Sequence, residues 1–167
     1  SAVLTAAAAI CPPLDLTAAG HTLGRGFNRI YTRHFLATLK RSANMKLNQH
    51  PGLFDGEAMR RAANLYEFDN LVTAPLHGFR DTDDYWLRAS SKAHLPDIVV
   101  PTLLINPLND PFLPASHLPS ARDVSRTVVL EQPREGGHVG FVGGAWPGHL
   151  DWLPGRLVSF FTQAEKC

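Results

Sequence analysis

Apolar residues along this chain fall into two patterns: short continuous runs, and repeats at three- and four-residue steps. Ala2 to Ile10 is a run closed by Pro12-Pro13, a length that suits a buried strand, although alanine is a weak strand former. Ile98-Val99-Val100-Pro101-Thr102-Leu103-Leu104-Ile105 is a nearly continuous apolar stretch of the kind parallel sheets bury on both faces. Thr127-Val128-Val129-Leu130-Glu131 is the next strand. Between the first two runs, Leu23, Phe27, Ile30, Tyr31, Phe35 and Leu39 recur at helical spacing, which predicts one or two amphipathic helices from Thr17 to about Leu47. Asp55 reads as the N-cap of a short helix with Ala58, Met59, Ala62 and Leu65 on one side. Glu67 to Phe79, with Pro75 and Gly78, reads as irregular, and Asp83 to Ser90 as another short helix. Gly148 to Gln163 closes the chain as a helix whose Leu150, Leu153, Leu157, Phe160 and Phe161 face inward.

The predicted order is strand, helical insert, strand, helix, strand, helix. Alternation of this kind points to α/β architecture with a parallel sheet. Three strands are few for such a sheet, so the sheet reads as incomplete. No internal repeat, low-complexity tract or interdomain linker interrupts the chain.

Composition narrows the class. At 167 residues, 44% apolar and 19% charged, the chain can bury a real core and has a globular balance. A formal net charge of +1 offers no electrostatic attraction to nucleic acid, and no nucleic-acid partner is expected. Arg25, Arg29, Arg33, Lys40 and Arg41 fall mostly between the apolar positions and read as a solvated helix face. Two cysteines this far apart make no disulfide framework; Cys11 reads as a buried thiol and Cys167 ends the chain. No apolar run reaches the roughly 18 residues of a transmembrane helix. The alanine-rich start lacks the basic region of a signal peptide. These features suggest a cytoplasmic protein, or one peripheral to a membrane, and any targeting signal on a longer chain would lie outside this sequence.

Two residues stand out chemically. Asp110, in Asn109-Asp110-Pro111-Phe112, sits where a buried strand runs out, and active groups in open α/β sheets gather at the carboxyl ends of strands. An Asp before Pro is also a common turn initiator. His138 lies in Glu135-Gly136-Gly137-His138-Val139-Gly140-Phe141, where flanking glycines free the backbone to swing the ring outward. Each follows a strand, and Asp precedes His, as in the Ser…Asp/Glu…His order of α/β-hydrolases. The carboxylate would fix the imidazole tautomer and stabilise the imidazolium formed when a hydroxyl is deprotonated. No G-x-S-x-G occurs in the chain.

The sequence resembles the α/β-hydrolases of the YheT type, relatives of the membrane-associated abhydrolases, over nearly its whole length. The resemblance is carried by Ala9-Ile10-Cys11-Pro12-Pro13-Leu14-Asp15-Leu16, Phe68-Asp69 with Thr73-Ala74-Pro75-Leu76-His77-Gly78-Phe79, and Asp84-Tyr85-Trp86 with Ser90-Ser91. It continues through Pro101-Thr102-Leu103-Leu104-Ile105-Asn106, Asn109-Asp110-Pro111-Phe112 and Gly136-Gly137-His138-Val139-Gly140-Phe141. It implies the C-terminal part of an α/β-hydrolase fold across residues 1–167: the last three parallel strands, a helical cap insertion over 17–95, and the closing helices. It makes Asp110 the triad acid and His138 the triad base. The nucleophilic serine and the oxyanion donors would lie upstream, so the implied partners are a small-molecule ester and the N-terminal part of the same hydrolase. The chain by itself is then expected to be inactive, with an exposed first-strand edge inviting self-association. No cofactor or metal is implied.

Other readings stay open. Gly20-His21-Thr22-Leu23-Gly24 has the form of a nucleophile elbow with threonine for serine, so Thr22, Asp110 and His138 fall in triad order. Against it, Pro12 to Ala19 reads as a turn entering a helix, and a β-branched residue suits the strained elbow poorly. A non-catalytic interaction module on a hydrolase-like scaffold is the rival from another class. The eight histidines show no H-E-x-x-H or paired-ligand spacing. Asp81, Asp83 and Asp84 read as helix capping rather than a calcium loop. His77 either lines a cleft or fills a buried turn.

Overall fold

The computed structural model describes residues 4–164. Element order is β1 (Ala7–Ile10), α1 (Leu16–Leu23), α2 (Arg29–Gln49), α3 (Gly56–Arg61), α4 (Leu65–Phe68), α5 (Ala74–Leu76), α6 (Thr82–Ala89), β2 (Thr102–Ile105), β3 (Val128–Glu131) and α7 (Trp152–Ala164). The chain divides into two compact units, one made of Asp15–Ser90 and the other of the segments on either side.

The flanking segments build the sheet unit. Its three strands are parallel in the order β1-β2-β3, with Ala7 opposite Thr102 and Thr102 opposite Val128. This is the expected α/β architecture. Only β2, with a strand on each side, is buried at all four positions, whereas β1 is half-buried throughout. Leu103 and Ile105, two residues apart and so on one face, pack with Phe141 and Phe160. At the end of β3, Glu131 accepts from Arg156 Nε at 2.8 Å, tying α7 to the sheet.

Several elements differ from the sequence reading. The first strand covers Ala7–Ile10 and is half-buried, because among the described residues it has a neighbour on one side only; the start of the expected run, Ala2 and Val3, lies outside those residues. Strand β2 starts at Thr102, since Pro101 lacks the amide a ladder needs, and Val99 is exposed. The helix expected between β2 and β3 is a single 3-10 turn, Ala115–His117. Prolines at 111, 114 and 119 interrupt that segment, and Ser120 and Asp123 close a turn on each other. The last helix starts at Trp152, after a Pro147-Gly148 turn, so Leu150 precedes it and is exposed; Phe161 is exposed too, leaving Phe160 as the buried anchor.

Asp15–Ser90 forms the helical unit. Asp15, Asp55 and Asp81 cap α1, α3 and α6 by accepting backbone N–H bonds, as capping chemistry dictates. Helix α3 stops at Arg61, where Lys40 Nζ bonds the carbonyls of Arg60 and Ala62 at 2.8 and 2.6 Å. Leu65 therefore belongs to the next helix rather than to α3. The segment read as irregular is helical: a π-turn over Asp69–Thr73 joins α4 to α5. Pro75 sits in the first turn of α5, where its missing N–H costs nothing. His77 ends α5 in a turn and is exposed, so the turn it forms is not a buried one.

Helix α2 shows what periodicity leaves undecided. Thr32, Leu36 and Ala43 are its buried positions, while Ile30 is 67% and the preceding Phe27 89% exposed. The apolar spacing was right; this unit uses another face of the helix as its core. No described helix is long and apolar enough to cross a membrane.

Candidate active site

The sheet unit brings Asp110 and His138 together. Asp110 follows β2 through a turn in which its amide bonds the Pro107 carbonyl, and Leu108 N reaches the Pro133 carbonyl at 2.8 Å. Its Oδ1 accepts the Phe112 amide at 2.8 Å, so the turn-forming role and the site role coexist in one carboxylate. Its Oδ2 lies 3.0 Å from His138 Nδ1. The residue is 7% exposed, whereas the His138 side chain is 35% exposed. A buried acid holding a partly open imidazole by Nδ1 leaves the other ring nitrogen for chemistry.

The loop carrying His138 departs from the simple glycine argument. Of its three glycines only Gly137 has a left-handed backbone, at φ 59°. Gly136 is required by space: a Cβ there would come within 2.6 Å of the Phe141 ring and 2.8 Å of Pro107. Left-handed φ values fall instead on Val139 (60°) and Phe141 (44°), each an uncommon and costly conformation for such residues. Phe141 is buried and stacks on Trp152 at 4.9 Å, which helps hold that conformation. The Phe112 ring lies 4.3 Å from the imidazole centre.

Two neighbours were not singled out from the sequence. Asn109 Oδ1 accepts the Gly137 amide at 2.9 Å, a second link between the two loops. Cys11, just past β1, also has a left-handed backbone, at φ 46°. Burial, the largest influence, pushes its thiol up to about 11, with the nearby Asp110 carboxylate adding to the rise and the Val139 amide opposing it. The same rule that drew attention to Asp110, active groups at the carboxyl ends of parallel strands, applies to Cys11 at the end of β1. Donor atoms of Cys11, Asp110 and His138 lie within 4.8 Å of one another, a set no spacing in the sequence reveals.

Other candidates are placed differently. Thr22 is the penultimate residue of α1, not a turn after a strand, so Gly20 to Gly24 is no nucleophile elbow. Gly20 is needed for packing, since a Cβ there would meet the Trp86 ring at 2.3 Å. Asp81 caps α6, while Asp83 accepts from the Tyr66 hydroxyl and Asp84 from the Arg80 amide.

With this geometry in place, comparison with known proteins is decisive. Over 97% of its length the chain is 33% identical to YheT of Escherichia coli, named as an esterase, and covers 49% of that protein. It is similar over nearly its whole length to the YheT-type α/β-hydrolase family. The match is to the C-terminal part of these proteins. A Synechocystis protein named as an esterase is 32% identical over 92% of the chain and 46% of its own length. A Mus musculus protein named phospholipase ABHD3 is 30% identical over 96% of the chain and 39% of its own. The chain thus spans about half the length of the curated relatives it matches, or less. No family model and no solved structure matches it.

Proposed function

We propose that this YheT-type chain is the acid–base half of a serine hydrolase acting on carboxylic esters. The observation that carries the reading is the 3.0 Å contact between buried Asp110 Oδ2 and His138 Nδ1. Names of the relatives point the same way: two esterases and a phospholipase, with a monoacylglycerol lipase, ABHD2 of Danio rerio, matching 68% of the chain.

In the complete enzyme His138 takes the proton of a serine hydroxyl as the oxygen attacks the ester carbonyl. Asp110 keeps the Nδ1–H tautomer and stabilises the resulting imidazolium. The imidazolium then gives its proton to the departing alcohol. A water, deprotonated by the same ring, releases the acid from the acyl-serine. The serine and the oxyanion donors come from the part of the protein upstream of these residues, and residues 17–95 are its cap insertion. The chain alone therefore turns nothing over, since a triad enzyme without its nucleophile and oxyanion hole keeps almost no rate enhancement.

A fluorophosphonate, which labels activated hydroxyls, tests this by intact mass. The chain alone should keep its mass, while the chain preceded by its upstream half should gain one adduct, slowed by His138→Ala. An adduct on the chain alone that disappears with His138→Ala would overturn the proposal.

A further inference from the structure

We infer that Cys11, Asp110 and His138 form a binding site for a borderline-soft divalent cation, zinc above all. The three donors, a thiol, a carboxylate and an imidazole, come from the carboxyl ends of β1 and β2 and the loop after β3, and lie within 4.8 Å of one another. Zinc bonds of about 2.0–2.3 Å in tetrahedral geometry put neighbouring donors roughly 3.5 Å apart. Asp110 and His138 are already closer than that, at 3.0 Å. No donor pair lies beyond 4.8 Å, so tetrahedral spacing needs a shift of little more than about an ångström at most, within the reach of a side-chain adjustment.

Donor chemistry selects the ion. Sulfur, nitrogen and oxygen together suit zinc, whereas magnesium and calcium favour all-oxygen shells. One thiolate and one carboxylate cancel the double positive charge, so the filled, partly buried site is net neutral. The thiol proton leaves to solvent as the sulfur binds, and the imidazole proton moves from Nδ1 to Nε2, which frees the Nδ1 lone pair for the ion. Three protein ligands leave a fourth position open to water.

The supports are already in place around the donors. The Phe112 amide holds Asp110, and Asn109 holds Gly137 beside His138. Such outer contacts fix ligand orientation in metal sites. A bound ion would occupy the imidazole and break the Asp110–His138 contact, switching off the acid–base pair. That consequence rests on the hydrolase reading, but the site itself does not.

Titration with cobalt and zinc tests the site in a Cys167→Ser chain, which leaves Cys11 as the sole thiol. One equivalent of cobalt should give a thiolate-to-cobalt charge-transfer band, and zinc should displace it. Cys11→Ser should abolish the band. Asp110→Asn and His138→Ala should each weaken zinc binding at least about tenfold, since even outer-shell partners cost that much. Near-UV circular dichroism checks that each variant is folded, and zinc protection of Cys11 from alkylation gives a readout needing no variant at that site. Cobalt binding without the band, or full alkylation of Cys11 under saturating zinc, overturns the assignment. A failed fluorophosphonate experiment would leave these readouts unchanged.

Discussion

Asn109 and Gly137 are joined by a 2.9 Å hydrogen bond one residue before each member of the Asp110–His138 pair. The two loops are thus linked twice in succession, side chain to backbone and then side chain to side chain. Such a double link limits how far the imidazole can drift from the carboxylate. Asn109→Ala should leave the sheet intact and cost about 0.5–1.5 kcal/mol, the net value of one hydrogen bond. Faster hydrogen exchange at the Gly137 amide is the direct check. Unchanged exchange would mean that the loop is held by Phe141 alone.

Glycine positions in the helices divide by what a methyl group would meet. At Gly20 it collides with the Trp86 ring, so Gly20→Ala should destabilise the helical unit by about 1–3 kcal/mol. At Gly155 in α7 nothing lies within 4 Å, and Gly155→Ala should stabilise the sheet unit by up to about 1 kcal/mol through helix propensity. Thermal unfolding of the two variants reads the opposite signs.

The Cys11 thiol should be sluggish at neutral pH. Burial and the facing Asp110 carboxylate raise it from 9.0 to about 11, so thiolate is scarce below that range. Alkylation of Cys11 should keep accelerating as pH rises from 9 towards about 11, after an ordinary thiol has levelled off. The stability sign follows from the folded value lying above the unfolded one. Cys11 lowers no stability below pH 9, and its contribution is lost as pH rises through about 11. A levelling of the alkylation rate near 9 would contradict the buried setting.

Phe27 and Ile30 face solvent in the helical unit. Replacing both with serine should therefore change the unfolding midpoint by no more than a surface substitution does, within about 0.5 kcal/mol each. The same change should reduce any concentration-dependent association seen by light scattering, because exposed apolar patches promote it. A large loss of stability would place these side chains in a core.

Much of this protein is legible in the sequence. The continuous run Leu103-Leu104-Ile105 fixes a buried central strand, because only a strand flanked on both sides can bury every position. Asp55 announces its helix because capping is local chemistry between a side chain and amides two and three residues on. Order and type of residue were enough to pick out Asp110 and His138 as a pair. Other features depend on contacts between residues far apart in the chain. Which face of α2 is buried was set by Met59, Phe68 and Val72, with which Leu36 and Ala43 share a core, and not by the helix's own periodicity. Thr22 has the spacing of an elbow, yet its backbone is helical and its glycine serves Trp86. Cys11 looks like one more apolar residue until β1 pairs with β2. Parallel pairing aligns the strand ends, and that alignment, encoded in no local run, is what sets a thiol beside the Asp110–His138 pair.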